Sequence, residues 1–140
     1  DLRQLVATLR MLTDLQRMSD LSVHVAKVAR RRMPDSAVPV KLHPTIQAMA
    51  AVADSMIDSA SRIVANRDVN AAAELESEDD EMDRLRRELL RSVLNVEWQH
   101  GGEPAIDLAL LGRYYERIGD HAVSMARRVV YLVTGQGQLT

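Results

Sequence analysis

Apolar residues recur every three or four positions along most of the chain, and breaks in that rhythm divide it into four helical segments. Leu2, Leu5, Leu9, Leu12, Leu15 and Met18 predict a first helix over residues 1–32 with this stripe as its buried face. Asp1 suits a cap or first-turn acid. Arg30, Arg31 and Arg32 place cations near the negative end of the helix dipole, a reading preferred over a phosphate-binding patch. Met33-Pro34-Asp35 breaks the helix, and a loop runs to His43-Pro44, where Pro44 suits a first helical position. The second helix is expected over residues 44–66. Its stripe includes Ile46, Met49, Ala53, Met56, Ile57, Ala60 and Ile63, and the methionine spacing assigns them to the core rather than to a flexible binding surface. Asp68 is a candidate N-cap for a third helix over residues 69–97, with Leu75, Met82, Leu85, Leu89, Val93 and Val96 on its apolar side. Gly101-Gly102 interrupts, Glu103-Pro104 opens a fourth helix to about Val133, and Gly135 fits its C-terminal cap. Ile106, Leu110, Ile118, Val123, Val130 and Val133 supply that helix's apolar positions.

Composition supports this reading. With 140 residues the chain is sized for one domain. Hydrophobic residues make up 46%, aromatics only 3%, and Phe is absent, so the core must be built from Leu, Val, Ile, Ala and Met, mostly good helix formers. The fold class is all-α, an antiparallel helical bundle joined by short loops. The absence of Cys excludes a disulfide scaffold and thiolate metal sites, and is compatible with a cytoplasmic address. A net charge of −2 gives no whole-chain argument for direct nucleic-acid binding. No apolar run reaches the ~18 residues of a membrane span, and no signal peptide is visible. The chain lacks an initiator Met and begins inside a helical pattern, so it is expected to be a fragment of something longer.

Candidate chemistry centres on the stretch from Tyr114 to Val123. Glu116 and Asp120, four residues apart, share one helix face and repel by roughly 0.2–0.5 kcal/mol unless solvent, an arginine or a cation intervenes. Gly112 and Gly119 flank them, each disfavoured in a helix by about 1 kcal/mol, and are expected to leave room for a neighbouring backbone or an ion. One hundred residues earlier, Gln16-Arg17-Met18-Ser19-Asp20 aligns on Glu116-Arg117-Ile118-Gly119-Asp120, suggesting duplication of one supersecondary unit. On the third helix, acids at 74, 76, 78, 79, 80, 81 and 83 contain two interleaved pairs, Glu76 with Asp80 and Asp79 with Asp83. Asp79 and Asp83 flank Met82 at the edge of the apolar stripe and can turn toward a neighbouring helix. Asp83 lies 18 residues before Gly101 and Asp120 18 after Gly102, so at about 1.5 Å per residue both sit roughly 27 Å from the turn. Four facing carboxylates invite a cation. An all-oxygen donor set suits Mg, Mn, Fe or Ca, with Zn possible. Without one, the acids stay solvated, balanced by Arg84, Arg86 and Arg87.

The strings Glu116 to Ala122, Arg128 to Gly135 and Glu78 to Asp83 resemble the PhoU family, regulators of the bacterial phosphate-starvation response, and the resemblance covers nearly the whole chain. It implies two three-helix repeats whose paired acid-x-x-x-Asp motifs bind multinuclear metal clusters. On that basis residues 1–32 are the last helix of an incomplete first repeat, 33–43 a linker, 44–135 a complete second repeat and 136–140 a tail. The fold becomes a PhoU-like three-helix repeat over residues 43–134 plus one extra long helix. The implied metal ligands are Asp79, Asp83, Glu116 and Asp120, with Glu76, Asp80 and Asp20 as possible additions, for divalent or trivalent Fe, Zn, Mn or Mg. Asp14 and Asp20 are retained in the first copy, but Gln16 replaces an expected acid, so a working site is expected only in the second repeat. The first helix, without its own partners, is expected to pack on the other three helices or on a second copy of the chain.

The resemblance implies signalling without catalysis. The protein would be a cytoplasmic adaptor between the phosphate ABC transporter ATPase and a sensor histidine kinase, reaching the membrane only through those partners and acting as a homodimer. It would repress phosphate-uptake genes when phosphate is plentiful. The residues contain no nucleophile-plus-base arrangement and no Gly-rich phosphate loop. A rival di-iron carboxylate enzyme would need two Glu-x-x-His motifs. Only Glu97 to His100 supplies one, at a helix end, and His100 and His121 are read as surface or supporting residues rather than ligands. A metal-free helical interaction module is the remaining alternative.

Overall fold

The computed structural model describes residues 1–135; the expected tail at 136–140 lies outside the described residues. Four helices follow one another: α1 (Leu2–Arg32), α2 (His43–Asn66), α3 (Val69–Val93) and α4 (Gly102–Thr134), with a single 3-10 turn, Val40–Leu42, ahead of α2. No strand occurs among the described residues.

Local chemistry sets the ends. Asp1 caps α1 by accepting from the Arg3 N–H at 3.1 Å. Asp68 caps α3 by accepting from the N–H groups of Asn70 and Ala71 at 3.1 and 3.2 Å. Gly135, at φ 67°, closes α4 in the left-handed region. α3 stops at Val93, short of the expected 97. Asn95 accepts from the Glu97 N–H through its side chain at 2.8 Å and from the Trp98 N–H through its backbone at 3.0 Å, and those bonds favour a turn. Glu97 and His100 therefore stand outside any helix, which removes the geometry a Glu-x-x-His ligand pair requires.

α4 is the central element and touches all three other helices. It is buried around much of its circumference, with Leu108, Leu111, Ile118, Ala122, Val123, Met125, Ala126 and Val129 all in the core. Met49, Met56 and Ile63 of α2 and Leu75, Met82 and Leu89 of α3 complete that core, each essentially inaccessible. As numbers rise along α3 they fall along α4: Asp79 meets Gly119, Arg86 meets Glu116 and Leu89 meets Gly112. The two helices are therefore antiparallel, as expected. The apolar residues Ile106, Val133 and Val96, assigned to the stripes from sequence, stand 61%, 47% and 100% exposed.

α1 corrects the largest expectation. Its leucine stripe faces solvent, with Leu2 75%, Leu5 57%, Leu9 56%, Leu12 55% and Leu15 48% exposed. The helix packs on α4 through the opposite side, using Ala7, Met11, Asp14, Met18, Leu21, Val25, Val28 and Arg32. Those positions alternate steps of four and three, the spacing of a seam along one antiparallel neighbour. Two side-chain junctions, Asp14 with His121, Ser124 and Arg128, and Arg32 with Asp107 and Glu103, fix the register. Arg32 grips buried Asp107 with two bonds, Nε to Oδ2 at 2.6 Å and Nη2 to Oδ1 at 3.3 Å, and reaches Glu103 at 3.2 Å. The last arginine of the basic triplet thus serves as a tertiary clamp rather than only a dipole partner.

Candidate functional site

The acids singled out on α3 and α4 meet along one face of the antiparallel pair. Met82, on the turn between Asp79 and Asp83, is fully buried against the core, so both carboxylates are held at the edge of the α3–α4 contact. Opposite them, Gly119 lacks the Cβ that would stand 3.4 Å from Asp79 Oδ1 and 3.2 Å from the Met56 Sδ and Cε atoms. Gly112 similarly admits Leu89 Cδ2, which a Cβ would meet at 3.0 Å. The space at the two glycines is therefore filled by side chains from α2 and α3, not by a neighbouring backbone; at Gly119 one of those neighbours is a carboxylate.

Asp79 is the most perturbed of these acids. Its Oδ1 is buried with no hydrogen-bond partner. Burial, then repulsion from Asp83, Asp120 and Asp80, pushes its carboxyl from 3.8 to about 6, while Arg127 opposes the rise. Asp120 is likewise raised, by burial first and then by Glu116 and Asp83, with Arg117 and Arg113 opposing. Asp79, Asp83 and Asp120 thus sense one another across the two helices, and among the described residues none of the three forms an ion pair.

The remaining expected site residues are engaged elsewhere. Glu116 accepts from Arg113 Nη1 at 3.0 Å and from Arg86 of α3. Glu76 pairs with Arg127 at 3.0 Å. Asp80 contributes to the repulsion on Asp79 from an exposed position. Asp20 lines a groove between α1 and α4. Among the described residues, no three His, Cys, Asp or Glu side chains stand as a ready-made metal cage. The donor set nevertheless fits a hard cation: oxygen ligands, unpaired acids in mutual repulsion, and one buried carboxylate oxygen lacking a partner. Asp79, Asp83 and Asp120 are the residues that would hold it, supplying charge neutralisation and a cross-link between α3 and α4.

Sequence reasoning undervalued Asp14. It is 6% exposed and accepts from Ser124 Oγ at 3.2 Å and Arg128 Nε at 3.4 Å, and bonds His121 Nδ1 at 2.9 Å. His121 is accordingly a supporting residue, tied to α1. The missed signal was the four-three spacing that puts Asp14 between Met11 and Met18 on the packed side of α1.

The PhoU domain model matches residues 46–129. The chain is 44% identical over 135 residues to the phosphate-specific transport system accessory protein PhoU homolog 2 of Mycobacterium tuberculosis, covering 96% of this chain and 63% of that protein. Homolog 1 of the same organism is 42% identical over 135 residues, covering 96% of this chain and 61% of the relative. The Deinococcus radiodurans homolog is 33% identical over 137 residues, covering 96% and 63%. The chain therefore spans a little under two thirds of the length of these relatives. With a family model matching more than half of the chain on a four-helix fold, the chain belongs to the PhoU domain family.

Proposed function

We propose that this chain is a metal-binding accessory module that regulates a phosphate transport system without catalysing a reaction. The observation that carries the metal part is Asp79 Oδ1, buried and unpartnered beside Asp83 and Asp120. A divalent or trivalent cation there removes the repulsion among the three acids and joins α3 to α4. The regulatory part is supported by family membership and by the names of relatives, which are accessory proteins of phosphate-specific transport. In this reading the module works in the cytoplasm as an adaptor between the transporter ATPase and a sensor histidine kinase, repressing the phosphate-starvation response. In this reading it meets the membrane through these partners; no helix among the described residues is long and apolar enough to cross one. The exposed leucine stripe of α1 supports self-association as a homodimer.

Co-purification tests the adaptor. The chain, in its longest natural form, is expected to capture the transporter ATPase and the kinase, and Asp79→Asn with Asp120→Asn to weaken capture about tenfold or more. Failure of the unsubstituted protein to capture either partner overturns the adaptor. Undiminished capture by the double variant, with metal absent from both proteins, favours the metal-free interaction module.

A further inference from the structure

A second site, separate from the acids of α3, lies in the groove between α1 and α4. Arg17 and Lys27 of α1 and Arg113 and Arg117 of α4 line an open pocket of about 620 Å³, and among the described residues Asp20 is the only carboxylate in its wall. Arg113 already donates to Glu116 at 3.0 Å. Among the described residues, Arg17, Lys27 and Arg117 form no ion pair with any carboxylate. Like charges gathered along one groove repel, and Asp20 in the wall, Glu116 at Arg113 and Asp120 near Arg117 offset only part of that charge. In a chain of net charge −2 this concentration is local, not an overall basic character.

The rest of the wall is ordered by contacts between the two helices. His24 of α1 stacks on Tyr114 of α4, with ring centroids 5.3 Å apart and planes 20° from parallel. His121 also lines the groove, its Nδ1 held by buried Asp14 at 2.9 Å. The groove is thus framed by one ring stack and one hydrogen bond between helices rather than by loops.

We infer that this groove binds a small oligophosphate, a ligand carrying two or more phosphate groups in a row. Guanidinium and ammonium groups are the side chains that recognise phosphate oxygens, arginine with paired parallel bonds. Charge selects the length. Arg17, Lys27 and Arg117, none of them in an ion pair among the described residues, together carry more positive charge than the roughly −1.5 to −2 of one phosphate near pH 7. The volume also falls within the roughly 300–1,000 Å³ of small-molecule sites. Nucleic acid fits less well, because His24 and Tyr114, the aromatic pair of the wall, each spend one ring face on the other instead of on a base. The inference does not rest on metal at Asp79, and the two fail separately.

Titration calorimetry of the metal-free chain with tripolyphosphate, pyrophosphate and inorganic phosphate tests it. Tripolyphosphate is expected to bind about tenfold or more tighter than inorganic phosphate, with affinity falling as salt rises. Arg17→Ser combined with Lys27→Ser should weaken binding about tenfold or more, and Arg117→Gln similarly. Arg10→Ser, on the same helix outside the groove, should leave it unchanged. Arg17, Lys27 and Arg10 are exposed, so an unchanged thermal midpoint will certify the fold of each variant. Absence of binding, equal weakening by Arg10→Ser, or tighter binding of a short single-stranded DNA than of tripolyphosphate overturns the proposal.

Discussion

Asp79 brings burial, repulsion and an unmade hydrogen bond together in one side chain, and its effect on stability has a definite sign. The folded chain holds the Asp79 proton up to about pH 6, whereas the ordinary value is 3.8. Between those values the native state binds more protons than the unfolded state, so this group's contribution falls as pH rises. Its penalty is complete above about pH 6 and absent below the ordinary value. In metal-free protein, Asp79→Asn should therefore stabilise at about pH 7 and do little at about pH 4, measured as the difference between paired urea titrations. An equal effect at both ends would contradict the assignment. Asp107 gives the opposite lesson, because its charge is already matched. Arg32→Ala strands a carboxylate whose side chain is 4% exposed and should cost roughly 2–4 kcal/mol in urea unfolding. The acids themselves were legible from i, i+4 spacing. Which ones were free was not, because Glu116 is claimed by Arg86, thirty residues away on another helix.

At the scale of elements, the four helices, their order and their antiparallel packing followed from apolar periodicity and from the Pro and Gly breaks. The face of α1 did not. That helix carries two stripes, one rich in leucine and one of Ala7, Met11, Asp14, Met18, Leu21, Val25 and Val28, and hydrophobicity alone favours the wrong one. The second fits because Asp14 within it bonds His121, Ser124 and Arg128 of α4. The end of α3 was overextended because Asn95 can bond its own neighbours, a local competition that apolar spacing does not report. The two-residue α2–α3 junction offers a check on local chemistry. Arg67 closes α2 at φ 52°, in the left-handed region where a Cβ is penalised, and Asp68 caps α3. Arg67→Gly should stabilise by up to about 1 kcal/mol and Asp68→Ala should destabilise by about 1 kcal/mol, both in thermal unfolding.

For the whole molecule, α4 organises the assembly, with α2 and α3 on one side and α1 on another. Five leucines of α1 remain in solvent on the side away from α4, an arrangement that favours association at high concentration. The 140-residue chain should elute as a dimer or larger by light scattering, and Leu5→Lys with Leu9→Lys and Leu12→Lys should return it to a monomer of unchanged helix content by circular dichroism. A dilution-independent monomer before substitution would contradict the homodimer. The central claim concerns the α3–α4 acids, and thermal unfolding with and without added Mn or Fe tests it most directly. At about 100 times the dissociation constant, a native-state ion adds about 2.7 kcal/mol, several degrees in midpoint. The account predicts that rise for the unsubstituted chain and its loss in Asp79→Asn and in Asp120→Asn. An unchanged midpoint with every ion tried, or an equal rise in both variants, would contradict it.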